Sequence, residues 1–302
     1  MRTRLWISIV GSLIAAQCFG VFAESSTETT PKAIASEQSA VAPEDIEAQV
    51  NLDVEVFQGF FAKRFSAVEF ADYKNGVYAL DEPSREQWLE IEEFPPYEFS
   101  VDDGETLFET PFANGKTYAD CFDNGGINIR QNYPFFDETL GEVVTLELAI
   151  NRCRESNGEQ PLGYKKGAIA SISAYMASTS VDQLMYPEVA SDAAFKAYNE
   201  GKKFFYSKRG QLNFSCADCH MRVSGLRLRA EVLGPALGQP TGFPVYRSKW
   251  MELGTLHRRY AGCNKNVRAL PFAAQSTEYR NLEYFQSVMS RGLTINGPSA
   301  RK

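Results

Sequence analysis

The sequence predicts a mainly α-helical protein composed of two similar domains, and three observations support this prediction. The chain has 302 residues, which is enough for roughly two domains of about 150 residues each. Apolar residues recur three and four positions apart in several segments, as they do on the buried face of a helix. The tripeptide Ala-Asp-Cys that ends at Cys121 recurs at Cys219, which indicates an internal duplication.

The composition is that of a globular protein with an acidic balance. Hydrophobic residues make up 44% of the chain and charged residues 23%, which is too apolar for a disordered protein. There are 31 Lys and Arg residues against 38 Asp and Glu residues, giving a net charge of −7. Proteins that wrap duplex nucleic acid normally have the opposite balance, so we expect no nucleic-acid partner.

The N-terminus has the pattern of a cleaved secretory signal over residues 1–23. Arg2 and Arg4 precede the apolar run Leu5 to Ala16, and the sequence Val21-Phe22-Ala23 offers small residues at the −3 and −1 positions of a cleavage site. The apolar run is shorter than the roughly 20 residues that span a bilayer as a helix. The sequence therefore predicts export to the periplasm and no membrane span.

Residues 24–44 are rich in Ser, Thr, Glu and Ala and contain no aromatic residue, which predicts a disordered leader. A lipidated Cys18 is an alternative for the N-terminus, but Gln17 is a poor fit to the small residue expected before the lipidated cysteine. Packed structure is predicted from Asp45 onward, where the following apolar residues have helical spacing: Val56, Phe57, Phe60, Phe61 and Phe65.

The cysteines carry the strongest chemical signal. Cys216-Ala-Asp-Cys219-His220 is the C-x-x-C-H pattern of covalent c-type haem attachment. Two thiols three positions apart on a tight turn can reach the two vinyl groups of one porphyrin, and the histidine that follows is then placed as an axial ligand of the iron. The motif predicts one covalently bound haem c, attached through Cys216 and Cys219 with His220 as proximal ligand.

Two other interpretations of the motif are weaker. A zinc site requires further His or Cys ligands at useful spacing, and none follows. A thioredoxin-like redox pair belongs at a strand-to-helix junction, whereas Ser191 to Tyr206, before the motif, has the spacing of an amphipathic helix in which Gly201 allows close helix approach. The pattern of residues 191–206 therefore favours haem.

A second helix is predicted to complete the haem domain, which we place at residues 183–302. It runs from Ser276 to Arg291, with Ser276 or Thr277 as N-cap and Gly292 as C-cap. Its apolar face is predicted to pack on the helix at 191–206 and contains Tyr279, Leu282, Phe285 and Met289.

Residues 45–182 are predicted to form a domain with the same fold but without haem. When Cys121 is aligned with Cys219, Tyr118 takes the place of Cys216 and Phe122 that of His220, so one thioether anchor and the iron ligand are absent. A closing helix is predicted over residues 163–178. Both domains then have a cytochrome c-like fold.

The remaining cysteines are Cys121, Cys153 and Cys263. Cys121 needs a partner in an oxidising compartment, and Cys153 is the free cysteine in the same domain, so we expect a disulfide between them. Cys263 is then unpaired. In a chain that is acidic overall, Arg258, Arg259, Lys265 and Arg268 surround it, with His257 nearby; positive charge favours the thiolate and attracts a dianion.

The spacing of the residues does not decide which side chain is the sixth ligand of the iron. Met251 and Met289 are possible, because Met is the usual distal ligand in electron-carrier cytochromes c. Cys263 follows His220 at a sufficient distance along the chain to return over the opposite haem face, and a thiolate is the stronger donor to ferric iron.

The chain resembles the SoxA family, the catalytic subunits of the periplasmic SoxAX cytochromes of thiosulfate oxidation (L-cysteine S-thiosulfotransferase). The likeness covers about residues 45–292. The haem motif is one of the stretches that carry it; the others are Cys121–Pro134 (CFDNGGINIRQNYP), Thr145–Cys153 (TLELAINRC) and Arg259–Phe272 (RYAGCNKNVRALPF). The absence of haem anchors at Tyr118 and Phe122 makes the chain similar to the single-haem members.

The resemblance implies a reaction and a set of partners. Cys263 would be the distal haem ligand and carry a persulfide as catalytic intermediate, and Arg259 would bind substrate. The implied reaction joins thiosulfate oxidatively to a cysteine thiol of the carrier protein SoxY of SoxYZ, and two electrons leave through the SoxX cytochrome subunit of a heterodimer. The alternative is a monohaem electron-transfer cytochrome c with Met251 or Met289 on the iron.

Overall fold

Helices dominate the computed structural model, which describes residues 43–228 and 230–301. The helices are α1 (Pro43–Arg64), α2 (Glu82–Glu93), α3 (Glu98–Glu109), α4 (Leu146–Ser156), α5 (Ala168–Ser178), α6 (Asp192–Tyr206), α7 (Leu256–Asn266) and α8 (Thr277–Met289). The strands are β1 (Phe135–Asp137), β2 (Glu142–Val144), β3 (Arg227–Leu228), β4 (Glu231–Val232), β5 (Val245–Arg247), β6 (Glu252–Gly254) and β7 (Ser299–Arg301).

The predicted signal at 1–23 lies outside the described residues, and so does the predicted leader except for residues 43 and 44, which begin α1. Within the described ranges, no helix combines the length and the apolar character needed to cross a bilayer.

The strands form three small sheets. β1 pairs antiparallel with β2, and β3 with β4. β5 lies between β6, which is antiparallel to it, and the C-terminal β7, which is parallel.

The two helices predicted around the haem motif are present. In α6 the hydroxyl of Ser191 accepts a hydrogen bond from the backbone N–H of Ala194 at 3.0 Å, which caps the helix as Ser does at an N-terminus. α8 begins after Ser276, as predicted, but its C-cap is Ser290 and not Gly292. Gly292 follows shortly after it with φ +87°.

We call residues 45–182 the first half of the chain and residues 183–302 the second half. The closing helix of the first half is shorter than predicted. α5 begins at Ala168 and not at residue 163, because backbone carbonyl groups before it accept hydrogen bonds from another part of the chain. The carbonyl oxygen of Tyr164 accepts a hydrogen bond from the hydroxyl of Thr255 at 2.8 Å, and that of Lys165 accepts one from the N–H of Thr255 at 3.2 Å. The segment before α5 therefore contacts the N-terminus of α7.

The order of elements in the first half recurs in the second. A hairpin, a helix and a closing helix follow one another as β1, β2, α4 and α5, and again as β5, β6, α7 and α8. The offset in sequence between the first residues of equivalent elements is the same for β1 and β5, for β2 and β6, and for α4 and α7. By this constant offset the counterpart of Cys263 is Cys153.

One glycine in each half permits the closest helix contact. A Cβ on Gly201 of α6 would lie 1.9 Å from the carbonyl oxygen of Asn281 in α8. A Cβ on Gly104 of α3 would lie 2.1 Å from that of Ser171 in α5. Ser171 and Asn281 are related by the same constant offset, so α3–α5 and α6–α8 are equivalent helix pairs.

The first half has its own apolar core, closed by a disulfide. Tyr118 and Phe122, which align with Cys216 and His220 of the second half, are buried in this core together with Phe108 and Ile150. Cys121 and Cys153 are bonded, with their Cα atoms 5.7 Å apart.

Replacing both Cys121 and Cys153 with serine is expected to lower the free energy of unfolding by about 3–4 kcal/mol, because the bond closes a loop across a sequence separation of 32. Denaturant unfolding of the holoprotein measures this loss. The visible haem spectrum is the control: a shifted spectrum in the double variant would contradict a purely structural role.

α1 packs against α6 and α8 of the second half. The ring of Phe57 meets the rings of Phe205 and Phe285 edge-on, at centroid distances of 6.1 and 6.3 Å. Phe57 and Phe61 are buried as predicted, whereas Val56 is exposed because it lies on the solvent-facing side of α1.

A candidate haem and thiol site

The C-x-x-C-H residues lie on a tight helical turn that follows the loop after α6. Ser215 and Asp218 hold this turn: the N–H and hydroxyl of Ser215 both donate to Asp218 Oδ2, at 3.0 and 2.9 Å, and the N–H of Asp218 donates back to Ser215 Oγ at 3.0 Å. A π-turn over Asp218–Arg222 continues it. This is not the strand-to-helix junction of a thioredoxin-like pair. Cys216 and Cys219 are free thiols.

The imidazole of His220 is oriented by groups that follow it in the chain. Its Nδ1 lies 2.9 Å from the carbonyl oxygen of Gly234 and 2.8 Å from Nε2 of Gln239. The His220 carbonyl accepts a hydrogen bond from the N–H of Ala236 at 2.8 Å. Because Nδ1 is engaged, Nε2 is the nitrogen available to a metal.

Cys263 faces His220 across a cavity. The thiol lies in α7, and Cys216, His220 and Cys263 all line this cavity. Burial raises the pKa of Cys263. Three neighbours have a larger opposite effect and lower the pKa to about 7: Arg259, His220 and Arg247. Burial instead raises the pKa of Cys216 to about 12 and also raises that of Cys219. Cys263 is therefore placed to be a thiolate near neutral pH.

Two arginines provide the positive charge at Cys263, and the sequence predicted only one of them. Arg259 lies one helical turn before Cys263 and also lines the cavity. Arg247, in β5, lines the cavity from the sheet, is largely buried and donates to Glu231 Oε1 and Oε2 at 3.2 and 3.3 Å. Burial and the nearby charge of Arg259 lower the pKa of Arg247, which places both guanidinium groups in one region.

The other basic residues of the predicted cluster point elsewhere. Arg258 donates to Glu252 at 2.9 Å and stacks on the Trp250 ring at 4.2 Å. Lys265 and Arg268 are exposed. His257 is buried, with its Nε2 3.1 Å from Glu283 Oε2 and its Nδ1 accepting from the N–H of Gln275 at 2.9 Å. On a helix, adjacent side chains point about 100° apart, so Arg258 and Arg259 cannot share a target.

The two methionines considered as distal ligands lie away from the cavity lining. Met251 is 81% exposed on the turn between β5 and β6. Met289 is buried in the apolar core at the end of α8. Cys263 is the candidate that the fold brings to His220.

The residues fit a c-type haem. Two free thiols lie three positions apart beside the cavity, His220 has Nε2 available, and Cys263 faces it as a soft thiolate donor. Cys216 and Cys219 would hold the porphyrin covalently, and His220 and Cys263 would hold the iron.

The comparisons with known proteins agree with this site. The L-cysteine S-thiosulfotransferase subunit SoxA of Chlorobaculum tepidum is 60% identical over 263 residues, which covers 87% of this chain and 92% of the relative. The subunit of the same name from Allochromatium vinosum is 52% identical over 266 residues, again 87% of this chain and 92% of the relative.

The chain belongs to the SoxA family. A SoxA/TsdA cytochrome c domain model matches residues 103–185, a range within the first half. The SoxXA crystal structure from P. pantotrophus is similar in fold, with a TM-score of 0.66 and 27% identity over 72% of this chain and 84% of that chain. SoxA membership confirms the resemblance carried by the stretches around Cys121, the haem motif and Cys263.

Proposed function

We propose that this chain is a c-type cytochrome enzyme that joins thiosulfate oxidatively to a cysteine thiol of the carrier protein SoxY of SoxYZ. Cys263 is the reacting sulfur and carries the persulfide intermediate. The observation that supports this most directly is that the Cys263 thiol shares one cavity with His220, Arg247 and Arg259; the charges of these residues also lower its pKa. The relatives named L-cysteine S-thiosulfotransferase support the same reaction class.

Arg259 and Arg247 bind the thiosulfate dianion. A guanidinium presents several N–H donors in a planar fork that suits oxyanions, and two such groups beside one thiol offset the repulsion between a sulfur anion and an anionic substrate. Arg247 keeps Glu231 as a partner, which fixes its guanidinium at the cavity before substrate arrives.

The overall reaction converts thiosulfate and a thiol into an S-thiosulfonate, two electrons and one proton. The haem, when bound, supplies a one-electron acceptor close to the reacting sulfur. Cys216, Cys219, His220 and Cys263 hold it, and the electrons leave through a SoxX cytochrome subunit in a heterodimer, as the likeness to the SoxXA structure supports.

One haem c is expected in this chain. Tyr118 and Phe122 are buried aromatic side chains in the first half where the second half has a haem cysteine and the haem histidine. The cytochrome c domain match at residues 103–185 supports a cytochrome c-like fold for the greater part of the haem-less domain that we place at 45–182, with the haem domain at 183–302. The signal-like residues 1–23 favour a periplasmic location.

The test uses the mature protein co-expressed with its SoxX subunit. Intact mass is expected to show one haem plus about 32 Da for one persulfide sulfur, which phosphine removes. Incubation with thiosulfate, SoxYZ and an electron-accepting cytochrome is expected to add one thiosulfate group to the mass of SoxY. Reduction of the haem by thiosulfate without that mass gain would contradict the proposal and indicate an electron carrier.

A further inference from the structure

A chain of hydrogen bonds connects the haem histidine to the helix that carries Cys263. Nε2 of Gln239 lies 2.8 Å from His220 Nδ1. Oε1 of Gln239 accepts a hydrogen bond from Gln286 Nε2 at 2.7 Å. Oε1 of Gln286 accepts from the hydroxyl of Tyr260, which lies in α7 shortly before Cys263. The chain therefore links the turn of the haem motif, α8 and α7.

The members of this chain are held in place by burial. Gln286 is 3% exposed and Tyr260 is 7% exposed, and Gln239 is half-buried in the short 3₁₀ turn Gln239–Gly242. Buried amides are costly unless both their oxygen and their nitrogen are paired. One hydrogen bond joins the two glutamines, and their other amide groups pair with His220 and Tyr260, so their side chains have little freedom to leave His220.

Iron ligation fixes the direction of the chain. When Nε2 of His220 takes a metal, the neutral imidazole keeps its proton on Nδ1, which must then donate. The carbonyl oxygen of Gly234 at 2.9 Å is one acceptor. The oxygen and nitrogen of a glutamine amide have nearly the same shape, so they can be exchanged without moving the side chain. With both Gln239 and Gln286 exchanged, Gln239 Oε1 accepts from His220 Nδ1, Gln239 Nε2 donates to Gln286 Oε1, and Gln286 Nε2 donates to the Tyr260 oxygen.

We propose that Gln239 is a positioning residue for the haem iron, oriented by Gln286 and Tyr260. A second acceptor at Nδ1 makes the imidazole a stronger donor to iron, which favours the ferric state and lowers the reduction potential. The same chain ties the orientation of His220 to α7, on the other side of the cavity. The inference rests on the proposed haem ligation by His220.

The test measures the reduction potential of the covalently attached haem in the complex with its SoxX subunit. Gln239→Leu keeps similar bulk but removes the acceptor, so it is expected to raise the reduction potential. At a fixed applied potential the ferrous-to-ferric ratio should rise several-fold. Its upper limit is about tenfold, which corresponds to about 59 mV for a one-electron couple. Gln239→Glu offers a stronger acceptor and is expected to shift the potential the opposite way. Gln183→Leu, at an exposed glutamine, is the matched control and should leave the potential unchanged.

Tyr260→Phe provides a second variant that keeps the buried ring and removes only the hydroxyl. It is expected to shift the potential in the same direction as Gln239→Leu but by less, since Gln239 stays in place with weaker orientation. Unchanged potentials in both variants, or equal shifts for Leu and Glu at position 239, would overturn the inference. Thiosulfate transfer to SoxY is assayed separately. If the haem remains attached, its potential is unchanged and transfer is normal, the inference about Gln239 is wrong while the proposed function stands.

Discussion

A Cys263→Ser variant is expected to lose thiosulfate transfer while it keeps its covalently attached haem. Serine matches the size of cysteine, but its hydroxyl neither carries a persulfide sulfur nor ionises near neutral pH. Removal of a reacting nucleophile typically costs about 10³-fold or more in turnover. With the proposed attachment through Cys216 and Cys219, the haem is expected to stay bound, so transfer to SoxY and haem content are measured on the same preparation.

The matched control for Cys263→Ser is the double variant in which Cys121 and Cys153 become serine. Cys153 holds the position in α4 that Cys263 holds in α7, yet it is bonded to Cys121 in the core of the first half. The double variant is expected to be less stable but to transfer thiosulfate at the parent rate below its unfolding transition. Transfer that persists in Cys263→Ser would rule out the role given to this sulfur.

The local parts of the site could be predicted from sequence because their geometry is set within a few residues. The spacing of Cys216, Cys219 and His220 defines the haem turn whatever the rest of the fold does. The apolar spacing of residues 191–206 likewise predicts a helix, which the structure shows as α6 with Ser191 as its N-cap. These features depend on short-range contacts that the sequence displays directly.

The parts that depend on contacts between separate elements were harder to predict. Arg247 and Arg259 belong to different elements, and β5 brings Arg247 to the cavity. The signal was the alternation Val245-Tyr246-Arg247, which puts Arg247 on the same buried face as Val245, but so short a strand does not make this pattern stand out. His257 was expected near the thiol, and its partner Glu283 comes from another helix.

The arginine pair gives the second large effect. Arg259→Ala is expected to lower kcat/KM for thiosulfate by about 10- to 150-fold, which corresponds to the roughly 1.5–3 kcal/mol of hydrogen bonds to a charged group. Arg247→Gln is expected to act in the same direction, because both guanidinium groups lower the pKa of Cys263 and line the same cavity. Steady-state kinetics with SoxYZ measure both, and haem content should stay near that of the parent.

Arg258→Gln is the matched control, since Arg258 is the neighbour of Arg259 on the same helix but binds Glu252 and Trp250. It should leave kcat/KM within a few-fold of the parent. If Arg259 and Arg247 bind one dianion, their losses are expected to be less than additive in the double variant, because groups that share a ligand couple. Strictly additive losses, or an equal loss in Arg258→Gln, would show that general charge at α7 is what matters, and that the two guanidinium groups form no common thiosulfate site.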